Sequence, residues 1–243
     1  MTATLDHKVD HRPDRPAGRR PHGFYGSSNG KKAVMAVTGA VLVLFLVGHM
    51  LGNLKVFLGA DSFNHYAEWL RTVGEPALPH RTLLTIVEIV LTLAVVLHMW
   101  SAVSLARRAA KARPVKYAAR VKPQAGGYAT RTMRYGGVIV LLFVIWHLLD
   151  LTFGVVNPEG GSATPYDRVV ADFAPGRWWV TVFYLVALVM VGLHLRHGLW
   201  SALQTLGLAH RYRALKAAST VVSVVLVAGF VAVPVTVMIG VVK

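Results

Sequence analysis

The stretch Val191-Gly-Leu-His-Leu-Arg-His-Gly-Leu-Trp-Ser-Ala-Leu-Gln-Thr-Leu-Gly207 decides the fold that we predict for this chain. It is the second half of a long apolar run that begins near Trp178, so we expect it to lie inside a membrane. It nevertheless carries His194, Arg196 and His197, and ionisable groups in hydrocarbon need a partner. The stretch therefore predicts a binding site, and three other apolar runs each carry one histidine at a matching depth.

The composition indicates an integral membrane protein. Of 243 residues, 54% are hydrophobic and 15% are charged, whereas a soluble domain is about one-quarter charged. The net charge of +15 suggests a nucleic-acid partner, but most Lys and Arg residues lie between the apolar runs, where they act as topology signals. We therefore predict no nucleic-acid partner and a membrane-lipid environment. Because cysteine is absent, this chain holds no disulfide, iron–sulfur cluster or thiolate zinc site.

Five apolar runs are long enough to cross a bilayer. The expected fold is an all-α integral membrane protein, a bundle of five transmembrane helices. We predict a disordered basic tail at 1–32 and one membrane domain at 33–243. The predicted spans are 33–58, 82–106, 134–156, 178–203 and 217–240. In the first loop, Asn64–Trp69 is expected to form a short interfacial helix.

The basic residues predict the orientation of the bundle. Nineteen Lys and Arg residues lie in the tail and in the second and fourth loops, against six on the other side. Because cytoplasmic segments are enriched in Lys and Arg, we expect the N-terminus in the cytoplasm and the C-terminus outside.

Four of the spans each carry a histidine at one of two depths. At about 1.5 Å per residue, His98 and His194 lie ~12–14 Å from the cytoplasmic ends of their spans, and His49 and His147 lie ~20–24 Å. Each pair comes from two different helices, which is the arrangement needed to hold a b-type haem between two axial imidazoles. We predict His98 and His194, the inner pair, as ligands of an inner haem, and His49 and His147, the outer pair, as ligands of an outer haem.

The alternative is that these histidines are interhelical hydrogen-bonding residues, although packing alone does not account for two matched levels. His197 lies one turn closer to the cytoplasm than His194, so packing, a propionate or a partner subunit explains it better than iron ligation. Glu88 is an acid inside a span, and the sequence leaves its role open. The side chains expected to hold haem propionates are Lys55, Arg81, Ser101 and Arg196.

Four pieces of sequence carry a family resemblance: Gly48-His-Met-Leu-Gly-Asn53, Phe63-Asn-His-Tyr-Ala-Glu-Trp-Leu70, Trp146-His147 and Gly192-Leu-His-Leu-Arg-His-Gly-Leu-Trp200. With these pieces the chain resembles the cytochrome b membrane-anchor subunit of succinate dehydrogenase and fumarate reductase, in its single-subunit, five-helix, di-haem form. It is similar above all to actinobacterial succinate dehydrogenase cytochrome b. The resemblance implies the same pairing of the four histidines that their depth predicts.

The resemblance also implies a function in a bacterial cell membrane. A flavoprotein subunit with FAD would oxidise succinate, and an iron–sulfur subunit would pass the electrons to this chain, which delivers them through two haem b groups to a quinone, with menaquinone expected. The chain would then belong to an enzyme, succinate:quinone oxidoreductase, while the dicarboxylate site lies on another subunit and no catalytic residue lies here. The resemblance leaves room for an oligomer of the whole complex. The residues expected to contact the quinone or its protons are Asn53, Tyr66, Glu68 and Asp150.

Other functions remain open at this point. In some fumarate reductases of this type a glutamate stands two residues before the fourth-helix ligand, where this chain has Gly192, so the resemblance favours succinate oxidation over fumarate reduction. A haem b anchor of another respiratory enzyme, such as a formate dehydrogenase or a hydrogenase, would keep the haems and change the soluble partners. A haem-free, proton-coupled transporter would use the histidines, Glu88 and Asp150 as a proton path.

Overall fold

The computed structural model describes residue 23 and residues 26–112, 127–208 and 212–243, and for 127–132 it describes the backbone alone. Most of the predicted tail, much of the second basic loop and part of the fourth lie outside the described residues. The described residues are helical with no strand. The α-helices are α1 (Ser28–Asn53), α2 (Ala60–Thr72), α3 (Thr82–Lys111), α4 (Gly127–His147), α5 (Pro165–Asp172), α6 (Trp178–Thr205) and α7 (Tyr212–Met238).

Five of the helical segments within the described ranges are long and apolar enough to cross a membrane, which confirms the predicted all-α bundle of five transmembrane helices, while the two haems stay a prediction. Some ends differ from the prediction. α1 begins at Ser28, before the predicted 33, because the Ser27 side chain caps it by accepting a hydrogen bond from the Gly30 N–H at 2.9 Å. α4 does not run as a regular helix to residue 156, because a π-helical turn at Leu148–Thr152 interrupts it.

The connections at one end of the bundle carry secondary structure of their own. α1 continues as a 3-10 turn, Leu54–Leu58, and Gly59 with φ +91° turns the chain into α2, which includes the predicted interfacial helix. α5 was not predicted, although Thr164 accepts from the Asp167 N–H at 3.2 Å in a capping arrangement that the sequence carries. We call this end of the bundle, where α1 ends and α6 begins, the α2 end.

Helices α1 and α6 lie at the centre of the bundle. α1 packs against α3, α6 and α7, whereas α6 also packs against α4. α6 and α7 approach closely at Gly192, whose carbonyl accepts a hydrogen bond from Ser223. α3 lies at the periphery with most of its apolar side chains exposed, as a lipid-facing helix requires.

The largest buried cluster lies at the α2 end. It packs side chains of α5 and of the first turns of α6 against the last turns of α7, and Tyr166 donates from its hydroxyl to the Lys243 carbonyl at 2.9 Å. This packing fixes the segment between α4 and α6 against the bundle. The buried members of this cluster are Val56, Tyr166, Val169, Phe173, Val180, Tyr184, Val233, Val237 and Val242.

Candidate functional site

The inner pair meets between α3 and α6. The ring centroids of His98 and His194 are 6.3 Å apart, with an angle of 60° between the ring planes. Glycines on two further helices face these rings, because a Cβ added to Gly39 of α1 would lie 3.3 Å from Cε1 of His98, and one added to Gly137 of α4 would lie 3.8 Å from Cε1 of His194. Four helices therefore surround the inner pair, and at Gly39 and Gly137 two of them approach it without a side chain.

Thr38 orients the His98 ring. Its hydroxyl donates to the Val34 carbonyl at 2.7 Å, and it lies 3.2 Å from Nδ1 of His98. Because the hydroxyl proton is already used, Nδ1–H of His98 is the donor in the second contact, which leaves the lone pair on Nε2. An imidazole held in this way through its other nitrogen is typical of a metal ligand. Sequence reasoning missed Thr38, although it lies three turns before His49 on the same face of α1.

The outer pair meets between α1 and α4. The ring centroids of His49 and His147 are 5.8 Å apart and the ring planes are nearly perpendicular, at 86°. Aromatic rings surround the pair: Phe45 is stacked on His49 at 5.1 Å, and Phe230 of α7 lies 5.8 Å from it. Tyr184 of α6 lies 6.1 Å from His147. The surroundings of the outer pair are therefore apolar and aromatic.

The two pairs lie at different levels of the bundle. Gly39 faces the inner pair and His49 belongs to the outer pair, ten residues further along α1 (49 − 39). Gly137 and His147 stand in the same relation on α4 (147 − 137). At about 1.5 Å per residue, both helices independently place the levels roughly 15 Å apart.

Each pair fits the requirement of a metal that already carries four ligands. The described residues contain no group of three or more His, Cys, Asp or Glu side chains that could hold a bare metal ion, but a haem iron takes only its two axial ligands from the protein. With metal–imidazole bonds of about 2 Å, two opposed rings have centroids roughly 6 Å apart, as both pairs do. Nδ1 of His147 and of His194 is buried without a hydrogen-bond partner, so these two rings lack the second-nitrogen contact that Thr38 gives to His98.

The four side chains predicted to hold propionates do not lie together. Ser101 is fully buried on α3, one turn from His98, and its hydroxyl has no partner. Arg196 is exposed and its Nε donates to Thr220 at 3.1 Å. Arg81 lies at the α2 end and pairs there with Glu88 at 3.3 Å, which also gives that intramembrane acid a counter-ion. Lys55, also at the α2 end, lies over the Tyr66 ring at 5.3 Å.

A buried cation that the sequence did not single out lies at the end of the bundle opposite the α2 end. Lys31 on α1 is buried, and its ammonium lies 4.6 Å from the centre of the Trp100 ring on α3. His197 lies beside Trp200, with ring centroids 5.7 Å apart, and the described residues give it no histidine partner. The position of His197 agrees with the prediction that it does not ligate iron, and this stays a prediction.

The four predicted quinone-contact residues separate into different surroundings. Tyr66 lines a cleft of about 370 Å³ together with Lys55, Ser62, His65 and Trp69, which we call the smaller cleft. Tyr66 is packed against α1, because a Cβ added to Gly52 would lie 2.8 Å from its Cε1 atom. Glu68 lines a second cleft of about 540 Å³ on the neighbouring side of α2, which we call the larger cleft.

Asn53 is half-buried at the end of α1, and neither cleft includes it. Asp150 lies in neither cleft, because it is fully buried in a polar network. Its carboxylate accepts from the Tyr184 hydroxyl at 3.0 Å and from the Asn157 amide at 3.4 Å. The quinone set predicted from the sequence is therefore not one constellation in the fold.

A second buried acid, Asp172 at the end of α5, belongs to the same network. It is fully buried and pairs with Arg177 at 3.0 Å. The pKa of Asp172 is raised to about 8, first by its own burial and then by a hydrogen bond with Asp150 and the charge of that group. The positive charge of Arg177 acts in the opposite direction. Sequence reasoning missed this acid, because nothing in the sequence shows that it meets Asp150 across the intervening loop.

Comparison with known proteins identifies the family. Residues 109–233, just over half of the chain, match the family described as Succinate dehydrogenase/Fumarate reductase transmembrane subunit. The chain belongs to this family. It is a multi-pass membrane protein and the membrane-anchor subunit of such an oxidoreductase complex, whose partners are a flavoprotein and an iron–sulfur subunit. No curated protein matches the chain, and no solved structure matches it.

The matched range includes His147 and His194, one histidine of each pair. His49 and His98 precede it, so their proposed role rests on the geometry described above. The family membership covers succinate dehydrogenases and fumarate reductases alike and does not separate the two directions of the reaction.

Proposed function

We propose that this chain is the di-haem cytochrome b anchor of a succinate:quinone oxidoreductase. It carries electrons from the iron–sulfur subunit across the bundle to a quinone, with menaquinone the expected one, and it fixes the catalytic subunits to a bacterial cell membrane. The N-terminus lies in the cytoplasm, where the basic segments meet the iron–sulfur subunit. The reaction follows from the family, whereas the haem arrangement and the direction are our inference.

One observation carries the proposal: two histidine pairs, each with ring centroids about as far apart as the axial ligands of one iron, lie at two levels of the same bundle. His98 and His194 would hold the inner haem, and His49 and His147 the outer one. A bis-imidazole b-type haem supplies reversible one-electron transfer and has no open position for oxygen chemistry. A bundle used for packing alone has no need of four histidines opposed in this way.

The chain's own residues hold and insulate these sites. Thr38 orients the His98 ring, and Gly39 and Gly137 keep space beside the inner pair. At the inner level, the buried Ser101 hydroxyl and Lys31 ammonium are the donors best placed to meet an anionic propionate, since neither has a carboxylate partner within the described ranges. Arg81 is better explained by its ion pair with Glu88.

The smaller cleft is the best candidate for the quinone head group. Tyr66 and Trp69 stack at 5.8 Å there and offer an apolar platform, while Lys55 and His65 offer donors for a quinone oxygen. α2 places the cleft at the α2 end, on the side of the outer pair. Glu68 and Asp150 do not line this cleft, so we propose contact through Tyr66 and its neighbours rather than through the full predicted set.

The packing of Gly192 supports succinate oxidation as the physiological direction. A Cβ at this position would lie 2.8 Å from Cγ2 of Val227 on α7, so a glutamate fits only if the Val227 side chain shifts. Some fumarate reductases of this type carry a glutamate where this chain has Gly192. A proton route through that side chain is not available here, because glycine has no side chain.

The test is the dithionite-reduced minus oxidised spectrum of the purified complex, with a pyridine haemochrome count for each copy of this chain. Two b-type haems are expected. A single haem would refute one of the two pairs. A haem-free chain would refute the electron-transfer role and favour a proton path, for which the buried Asp150–Asp172 network would then be the starting point. Copurification of subunits other than the flavoprotein and the iron–sulfur protein would indicate another respiratory dehydrogenase.

A further inference from the structure

The larger cleft, between α2 and α5, includes none of the paired histidines, and it adjoins the smaller cleft, with which it shares His65. α2 contributes Asn64, His65, Glu68 and Arg71, and the other wall is formed by residues 161–165 and Arg168. Asn64 joins the walls, since its amide donates to Thr164 at 3.2 Å and its oxygen accepts from the Tyr166 N–H at 3.1 Å. The cleft, about 540 Å³ in volume, is therefore a built feature of the fold.

Arg168 is a buried cation without an ion-pair partner. The residue is 7% exposed, one guanidinium N–H donates to the Thr152 carbonyl at 2.8 Å, and its Nε has no hydrogen-bond partner. Across the described ranges, no carboxylate lies within ion-pair distance of it. Arg71 and Arg168 both line the cleft. Burial, and secondarily the charge of Arg71, lower the pKa of Arg168.

The formal charges that line the cleft sum to one positive charge. Arg71 and Arg168 contribute two positive charges, and Glu68, which pairs with Arg71 at 3.0 Å, contributes one negative charge. His65, exposed on the same face, adds a further donor. A buried guanidinium with an unused donor is the side chain best suited to bind an oxyanion, and one net charge matches a singly charged anion.

The position of the cleft favours a phosphodiester. It lies at the α2 end, level with the boundary between apolar spans and polar loops, and exposed Trp69 and Trp178 mark the same boundary as interfacial tryptophans do. Phospholipid headgroups carry a phosphodiester with one negative charge at this depth. We propose that the cleft between α2 and α5 binds the phosphate group of a membrane phospholipid, held by Arg168 and Arg71.

The test uses the purified complex with all its subunits, delipidated in detergent. Short-chain phosphatidylglycerol and, separately, inorganic phosphate are titrated while the melting temperature and the phosphorus retained per complex are measured. Arg71→Gln removes one cation of the cleft. Arg81→Gln is the matched control, because Arg81 lies at the same end and also pairs with a glutamate, yet lines neither cleft. Arg168→Lys keeps the buried charge and removes the planar donor set.

We expect Arg71→Gln to weaken phosphatidylglycerol binding roughly 10-fold, as for the loss of one hydrogen bond to a charged group, and Arg168→Lys to weaken it by at least as much, with Arg81→Gln unchanged. Equal affinity in all four proteins would overturn the proposal. If inorganic phosphate bound as tightly as the lipid and with the same dependence on Arg71, the site would be one for free phosphate and the lipid assignment would fall. Because the haem content is not part of this readout, the result is independent of the proposed electron-transfer role.

Discussion

Replacing Thr38 by valine tests the most specific contact of the inner pair. Valine keeps the shape of the side chain and removes only the hydroxyl. In the structure that hydroxyl accepts the Nδ1–H of His98 at 3.2 Å and holds Nε2 free of a proton. Without it, the part-buried Nδ1–H loses its side-chain partner and keeps only the contact with the Met35 backbone, so the tautomer and the rotation of the ring are held less firmly.

The expected size of the effect follows from the contact. Loss of one intramolecular hydrogen bond costs about 0.5–1.5 kcal/mol, and loss of a hydrogen bond that orients a ligating imidazole typically lowers metal affinity about 10- to 100-fold. We therefore expect the inner haem of Thr38→Val to dissociate roughly 10 to 100 times more readily. The outer haem should keep its affinity, because its ligands lie about 15 Å away along the helices.

The assay is the loss of haem from the purified complex to an excess of a haem-scavenging protein, with a redox titration to separate the two haems. Thr236→Val is the matched control: its hydroxyl donates to the Ala232 and Val233 carbonyls of its own helix, as Thr38 does to Val34 and Met35, and contacts no histidine. If the two variants lost haem at the same rate, the orienting role of Thr38 would be refuted.

Three further predictions follow from the same geometry. Alanine at either member of the inner pair should remove one haem, and alanine at either member of the outer pair should remove the other. Full haem content in all four purified variants would refute the ligand assignment. Gly52→Ala should displace the Tyr66 ring and raise the quinone KM several-fold, while the succinate–dye activity is kept. The control is Gly48→Ala, because a Cβ at Gly48 would meet nothing within 4 Å. Equal KM values for the two variants would exclude Tyr66 from the quinone site. The pKa of Asp172 is raised from 3.8 to about 8 in the folded protein, so the free energy of unfolding should fall as the pH rises from 4 to 8 and fall no further above pH 8. Melting temperatures of Asp172→Asn measured across this range should lack that slope. Parallel curves for the variant and the unmodified protein would contradict the assignment.

Part of the candidate site was predictable because a membrane helix makes depth a function of sequence position. A rise of about 1.5 Å per residue converts the place of each histidine in its span into a level. The structure brings together the same two pairs that depth predicts, His98 with His194 and His49 with His147. The five spans were predictable for a related reason, since each must present about 20 apolar residues to lipid.

Secondary structure outside the spans was only partly predictable. The interfacial helix α2 carries an amphipathic pattern, and its existence is confirmed. α5 was missed, although Thr164 and Asp167 form its N-terminal cap, because a short helix in a polar loop has no depth constraint and few apolar residues to reveal it.

Contacts between segments distant in sequence were decided by the tertiary structure alone. The quinone set of Asn53, Tyr66, Glu68 and Asp150 looks like one group in the sequence, yet the turn at Gly59 and the burial of Asp150 separate its members. The network of Asp150, Tyr184 and Asp172 and the cleft around Arg168 arise because α5 folds back between α2 and α6.

The sequence by itself thus determined the membrane class, the five spans and the level of each histidine, since these depend on helix length and rise alone. The tertiary structure decided which nitrogen of His98 is free, which acids share a buried network and where a cation lies unpaired. Those properties depend on distances between segments that neither periodicity nor depth along a single helix can supply.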